Sequence, residues 1–331
     1  MDQERTVLKS DLYKIAEIYK IIKKSKTFFI AGHVKPDGDS LGSALALSSF
    51  INRIGKKAYV YCKDEVPAYL KFLKDSNKIK VTDKETNIFD CAIILESMNF
   101  ERMGNIITPS QVKKIINIDH HQSHTDFGDI NYVIPKSSST AELVVNIFDF
   151  MKVKLTKAEA ECLYTGLVTD TGSFQNTNTT ASSHIVCAKL MGYGIDINKV
   201  HKRIYENVPL SFLKLQGFGL CNMKVILNGK VSYIVLTKDM FKKSKANYEG
   251  SNGIVNYTLR VQGVKVGCVF KEINKKSTKV SLRSIKNVNL LDIVKQFNGS
   301  GHKNAAGCTI DADINRAVKI ISKVLKEKFD E

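Results

Sequence analysis

The sequence predicts a two-domain α/β protein: an N-terminal domain built on a mainly parallel sheet flanked by helices, and a smaller C-terminal α/β domain. Three observations carry this expectation. Short β-branched and aromatic runs alternate with helical stretches in the first part of the chain, the pattern turns mostly helical from Ser139 to about Gly219, and it resets to strands after about Leu220. With 331 residues, 43% of them apolar and 25% charged, the chain can bury a sizeable core. Its length suits about two domains. The expected division is residues 1–205, a helical linker over 206–220, and residues 221–331.

Taken in order, Val7, Leu8, Leu12, Ile15, Ile18, Tyr19 and Ile22 recur at near-helical spacing and predict an amphipathic first helix. Thr27 to Ala31 (TFFIA) is short, aromatic and β-branched, as a strand should be, and runs into Gly32-His33. Leu41 to Ile54 returns to helical periodicity, and Ala58 to Tyr61, Cys91 to Leu95 and Lys114 to Ile118 read as further strands. Ser139-Thr140-Ala141-Glu142 is a capping-box pattern, in which the Ser and Glu side chains satisfy free backbone N–H groups of a starting helix. Beyond Leu220 come strands at Lys224 to Ile226 and Val231 to Leu236 and a helix-like stretch from Gly253 to Val261. Strands at Lys265 to Phe270 and Lys279 to Arg283 and a helix from Ile314 to Phe329 complete the pattern. No internal repeat is present, and no Pro/Gly-rich linker marks the boundary.

Composition removes several function classes. The longest apolar runs, such as Cys91 to Leu95, fall far short of the roughly 18 residues a membrane helix needs, and MDQERTVLKS lacks a signal-peptide pattern. No membrane association and a cytoplasmic location are expected. The seven cysteines, at 62, 91, 162, 187, 221, 268 and 308, form no CxxC pair or zinc spacing and mostly have apolar neighbours, which predicts buried, reduced thiols. A formal charge of +17 favours a polyanionic partner. The lysines are nevertheless scattered, with only short runs such as Lys242-Lys243 and Lys275-Lys276, so a general compositional bias explains much of the charge and a specific basic groove is left open.

The chemistry concentrates where open α/β sheets place their ligand sites, at the carboxyl ends of strands. TFFIA leads into His33, Asp37 and Asp39; CAIIL ends in Glu96; KKIINI ends in Asp119, His120 and His121. Asp170 closes the helical run Glu161 to Thr169, before the turn Thr171-Gly172-Ser173. Singly, an Asp-Gly-Asp is ordinarily a turn or cap and a lone His a satisfied polar residue. Together they form a donor set that a purely structural account has no reason to gather. Carboxylates and imidazoles without thiolate suit Mn²⁺ best, with Mg²⁺, Co²⁺ or Fe²⁺ also compatible and Zn²⁺ less so. The donor number suffices for two ions, as in sites that direct in-line attack of water on phosphorus. Farther on, Gly299, Ser300, Gly301, His302 and Lys303 form a small-residue loop suited to phosphate approach, and Arg283 is a second candidate phosphate clamp because guanidinium binds phosphate bidentately.

These residues resemble the DHH/DHHA1 phosphoesterase family, and in particular its short two-domain members, the NrnA-type oligoribonucleases that also remove the 3′ phosphate of 3′-phosphoadenosine 5′-phosphate. Four motifs appear in the family's order and spacing across nearly the whole chain: the His33 to Ser43 segment, Asp119-His120-His121, Thr169 to Phe174, and Gly301-His302-Lys303-Asn304-Ala305-Ala306-Gly307. The resemblance implies that His33, Asp37 and Glu96 hold one Mn²⁺ and that Asp39, Glu96, His120 and Asp170 hold another. It places Asp119 behind the ligands, His121 near the substrate phosphate, and Arg283 and the loop through His302 on the substrate, with the active site in the cleft between domains. The GHKNAAG segment separates the chain from the related inorganic pyrophosphatases.

Two positions depart from the family pattern. Glu96 stands where the family has a bridging Asp, and Asn298 and Ser300 stand in a loop that is usually richer in glycine. Asp90 is no substitute for Glu96, lying about 20 Å away along a strand. The function implied is a Mn²⁺-dependent phosphodiesterase that converts short RNA or linear dinucleotides to nucleoside 5′-monophosphates, with 3′-phosphoadenosine 5′-phosphate phosphatase activity beside it. The alternatives are a cyclic-dinucleotide phosphodiesterase and, in another class, a nucleotide- or RNA-binding protein with little catalysis because of Glu96. A homodimer is left open.

Overall fold

The structure, a computed structural model, describes residues 9–285 and 288–330. Its contacts divide the chain into two units, Met1–Asn207 and Val208–Glu331.

In the first unit, α1 (Lys9–Lys24) is the expected amphipathic helix and buries Ile15, Ile18 and Ile22. Val7 and Leu8 of that pattern lie outside the described residues. β1 (Thr27–Ala31) has the expected bounds, whereas α2 (Gly38–Arg53) starts before Leu41 because the Asp37 side chain caps it, accepting from Ser40 N at 3.0 Å. There follow β2 (Lys57–Cys62), β3 (Lys80–Val81), β4 (Phe89–Leu95), β5 (Val112–Asp119) and β6 (Ile130–Val133). Four helices complete the unit: α3 (Thr140–Phe150), α4 (Lys157–Asp170), α5 (Ala181–Met191) and α6 (Ile197–Tyr205).

The strands lie in the order β3-β2-β1-β4-β5-β6 with every pairing parallel. Both faces are buried, as parallel sheets require. Phe28, Ile30, Ile93 and Ile116 join the helical core on one side, while Phe29, Ile94, Met103 and Ile107 pack on the other. The order reverses between β1 and β4, which makes the carboxyl ends of these two strands a switch point. Asp90 sits toward the opposite end, accepting from Lys26 N at 2.9 Å and pairing with Lys113 at 2.8 Å.

α2 and α4 approach closely because they meet on small residues. A Cβ at Gly42 would lie 2.3 Å from Cys162 O, and one at Gly166 would lie 2.8 Å from Asp39 Oδ1. The capping box at Ser139 is only half formed. Ser139 Oγ accepts from Glu142 N at 3.1 Å, but the Glu142 carboxylate turns to Ser138, accepting from its N at 2.8 Å and its Oγ at 2.6 Å. Ser138, with a backbone N–H and a hydroxyl together, outcompetes the single backbone donor of Ser139.

The second unit opens with α7 (Leu210–Cys221), then β7 (Lys224–Ile226), β8 (Val231–Leu236), α8 (Lys238–Ser244) and α9 (Val255–Thr258). It continues with β9 (Val266–Asn274), β10 (Ser277–Ser284), α10 (Leu290–Val294), β11 (Ser300–His302), β12 (Ala305–Ile310) and α11 (Ile314–Asp330). The sheet order is β11-β12-β10-β9-β8-β7, with β8 and β9 parallel and the other pairs antiparallel. Cys268, Val280 and Leu282 face Ala317, Ile321 and Leu325 of α11, and Ile234, Leu236 and Val269 pack with Leu215 of α7 on the other side.

Two expectations change here. The helix-like stretch from Gly253 shrinks to the four residues of α9, preceded by a 3-10 segment Glu249–Ile254. The small-residue loop is the β11–β12 hairpin. All seven cysteines are free, but Cys221 is exposed and Cys187 only half-buried. Among the described residues, no helix is long and apolar enough to cross a membrane.

Candidate metal centre

Three adjacent strands, β1, β4 and β5, bring the site together. Just past β1, His33 directs Nε2 to within 3.5 Å of Asp37 Oδ2 and 3.8 Å of Glu96 Oε2. Just past β5, His120 directs its Nε2 to 3.5 Å from Glu96 Oε1, 3.6 Å from Asp170 Oδ2 and 4.0 Å from Asp39 Oδ2. Glu96 thus stands between the two imidazoles, one carboxylate oxygen toward each. Its backbone is held at φ 51°, a left-handed conformation that costs a non-glycine residue of order 1 kcal/mol and is overcome by its surroundings. Glu96 N continues the ladder to Ile118 O at 3.1 Å.

Several of these side chains are fixed from behind. His33 Nδ1 lies 2.8 Å from Val34 O and His120 Nδ1 lies 3.3 Å from Ser137 O. A carbonyl only accepts, so both Nδ1 atoms carry a proton and Nε2 is the ring atom each imidazole turns toward the carboxylates. Asp39 is fully buried and accepts from Thr140 N at 2.6 Å and Ala141 N at 2.8 Å, the start of α3. Asp119 Oδ1 accepts from His120 N at 2.7 Å and His121 N at 3.1 Å and lies 2.7 Å from His121 Nδ1.

This donor set fits a divalent cation. His120 Nε2 and Glu96 Oε2 are buried without a hydrogen-bond partner. Carboxylate and imidazole atoms facing one another across 3.5–4.0 Å need a proton or a cation between them, and a divalent cation satisfies several of them at once. Three groups have donor atoms close enough for one ion: His33, Asp37 and Glu96; Asp39, His120 and Asp170; and Glu96, His120 and His121.

Residues 27–167 match the N-terminal domain of the DHH family, and residues 228–327 match the DHHA1 domain. The bifunctional oligoribonuclease and PAP phosphatase NrnA of Thermus thermophilus is 30% identical, over 95% of this chain and 93% of the relative. The chain belongs to the DHH family. The protein of the same name from Bacillus subtilis is 27% identical over 89% of this chain and 92% of its own length. Among solved structures, an exopolyphosphatase-related protein from Bacteroides fragilis superposes with a TM-score of 0.88 at 30% identity, covering 95% of this chain and 96% of that one.

The electrostatics of this DHH centre are those of crowded anions. Burial, reinforced by the charges of Asp39 and Asp37, holds the Glu96 carboxyl well above the usual carboxylate range. Burial and the same two charges push Asp170 up to about 8. Burial raises Asp39 as well. For Asp119, burial acts upward but the His121 hydrogen bond and charge outweigh it, and the carboxyl sits below its ordinary value. Its partner His121 is raised, chiefly by that same hydrogen bond.

In the DHHA1 unit, Arg283 lies on β10, half-buried, with Nη1 donating to Leu282 O at 3.0 Å; burial lowers its pKa. Gly299 N donates to Val294 O at 2.8 Å, and a Cβ there would lie 2.6 Å from Gly307 O, so this glycine is required by the hairpin's own packing. Gly301, at φ 140°, would set a Cβ 2.4 Å from Ala305 O. Ser300 pairs with Gly307, and Lys303 O accepts from Leu290 N at 2.7 Å. The side chain of His302 lies outside the described ones. Sequence reasoning missed Asn178 and the carbonyls of Ser137 and Ser138, all of which touch the centre. Asn178 stands in the polar run Gln175 to Thr180, which reads as an undistinguished loop, and a backbone carbonyl leaves no mark in a sequence.

Proposed function

We propose that this chain is a Mn²⁺-dependent phosphodiesterase that hydrolyses short oligoribonucleotides or linear dinucleotides to nucleoside 5′-monophosphates, with 3′-phosphoadenosine 5′-phosphate as a second substrate. The observation that carries this reading is the Glu96 carboxylate, set between the His33 and His120 imidazoles at 3.8 and 3.5 Å. A weakly catalytic binding protein was the expectation if Glu96 could not occupy the bridging position, and the placement of its two oxygens favours catalysis instead. Relatives that match along nearly their whole length are named as oligoribonucleases and PAP phosphatases, which supports the choice of substrate class.

His33, Asp37 and Glu96 would hold one ion and Asp39, Glu96, His120 and Asp170 the other. Divalent cations there supply charge stabilisation to phosphoryl oxygens and acidify water. The rest is done by the chain. Asp119 fixes the His121 tautomer with the proton on Nδ1 and favours the imidazolium, leaving a half-exposed ring to donate a hydrogen bond to a phosphate oxygen or a proton to the leaving group. In the second unit, Arg283 and Lys303 carry charge and Ser300 a hydroxyl, groups suited to a phosphate.

The test is incubation of metal-stripped protein, with and without Mn²⁺, with a 5′-phosphorylated RNA dinucleotide. Mononucleotide release that requires Mn²⁺ and is lost in Asp37→Ala is expected. Release no greater than that of Asp37→Ala would overturn the proposal. Parallel turnover of a cyclic dinucleotide and of 3′-phosphoadenosine 5′-phosphate ranks the substrates.

A further inference from the structure

Asp170 is the last residue of α4, and the turn after it passes through Gly172, Ser173 and Phe174 at φ 55°, 58° and 65°. The helix alone therefore does not fix its carboxylate. Asn178 does so from eight residues on. Its Nδ2 lies 2.9 Å from Asp170 Oδ2, 2.8 Å from Ser138 O and 3.3 Å from Asp170 O. All three are acceptors, so the amide nitrogen is the atom that faces them.

Ser138 belongs to a stretch, residues 137–141, that orients the other members of the same cluster. Ser137 O receives His120 Nδ1, and the N–H groups of Thr140 and Ala141 hold Asp39. The stretch is itself clamped by the fully buried Glu142, which accepts from Ser138 N and Oγ through Oε2 and from Ser182 Oγ at 2.5 Å through Oε1. One strip of backbone thus aims His120 and Asp39 directly and Asp170 through Asn178. Among the described residues, no hydrogen bond links Asn178 to His33, Asp37 or Glu96.

We propose that Asn178 is a positioning residue of the metal centre: by tying the Asp170 carboxylate to the strip that aims His120 and Asp39, it sets the affinity of the Asp39–His120–Asp170 site and leaves the His33–Asp37 site unaffected. The inference rests on the reading that these clusters hold divalent cations. Losing a hydrogen-bonding partner behind a ligand typically lowers metal affinity by about 10- to 100-fold.

The experiment is a Mn²⁺ binding isotherm on the full, metal-stripped chain, with free Mn²⁺ read by electron paramagnetic resonance, for wild type, Asn178→Ala, Asn178→Leu, Asp170→Asn and the Asn178→Ala/Asp170→Asn pair. Wild type should bind two ions. Asn178→Ala, and Asn178→Leu which is of similar size but has no N–H to donate and adds no charge, should each weaken one site by about tenfold or more and leave the other within about twofold. The melting temperature of the metal-free variants should stay near that of wild type. In the Asp170→Asn background, Asn178→Ala should add nothing further, because its effect passes through Asp170. Unchanged affinities in both Asn178 variants would overturn the proposal, as would equal weakening of both sites with a fall in metal-free melting temperature. A wild type that binds no ion would instead remove the metal reading itself.

Discussion

Chelation should destabilise the first unit, and the size and pH dependence of the loss follow from the site. Three buried or half-buried carboxylates, Asp39, Glu96 and Asp170, converge on two imidazoles whose Nε2 atoms also point inward. A cation at about 100 times its dissociation constant stabilises the folded state by about 2.7 kcal/mol. For a unit of 207 residues, at about 2.1 cal/mol/K each, the unfolding entropy is about 0.43 kcal/mol/K. One ion should then raise the melting temperature by about 6 °C and two by about 12 °C.

The sign with pH is set by Asp170, whose folded-state carboxyl is pushed up to about 8 by burial and by the charges of Asp39 and Asp37, against about 3.9 when unfolded. Between these values the folded, metal-free protein holds more protons than the unfolded chain, so its stability falls as pH rises from about 4 to about 8. The ion removes that penalty, and the Mn²⁺-induced shift should therefore be larger at pH 8 than at pH 6. Thermal melts of stripped protein with and without Mn²⁺ at the two pH values measure it. No shift, or a larger shift at pH 6, would refute the reasoning.

Glu96→Gln should lower kcat/KM by at least about a hundredfold, or ~2.7 kcal/mol, while raising the metal-free melting temperature, because the repulsion from Asp39 and Asp37 is relieved; kinetics and melts on one preparation show both signs. Asp119→Asn should bring the His121 pKa down toward about 6.5, since its hydrogen bond to Asp119 is the main cause of the raised value. The imidazolium is then lost at lower pH, and NMR titration of the His121 ring and the alkaline limb of the rate profile should move together. Gly166→Ala would set a Cβ 2.8 Å from Asp39 Oδ1 and 2.9 Å from the Ala141 Cβ. Forcing α2, α3 and α4 apart should cost about 1–3 kcal/mol, seen as a melting shift of about 2–7 °C.

Strongly patterned elements were legible in the sequence. β1, β7 and β8 have their expected bounds because each is a β-rich run punctuated by polar or glycine residues. β3 and β6 were not, since Lys80-Val81 is two exposed residues and Ile130–Val133 follows a long polar stretch. α8, KDMFKKS, lacks an apolar period, and its helix depends on the Thr237 cap accepting from Met240 N at 3.4 Å. The segment from Gly301 to Gly307 carried a loop reading because Gly and Ala have low strand propensity; pairing with β10 overrides it.

The centre was legible because its donors are chemically conspicuous side chains at strand ends. What holds them in place was not: Ser137 and Ser138 act through carbonyls, Glu142 abandons the expected capping box, and Asn178 looks like any loop asparagine.

The most direct test of the central claim is anomalous scattering at the manganese edge from crystals of the full chain grown with Mn²⁺. Two peaks are expected, one bounded by His33, Asp37 and Glu96 and the other by Asp39, His120, Asp170 and Glu96. Absence of any peak at Glu96, or manganese bound only elsewhere on the chain, would contradict the account.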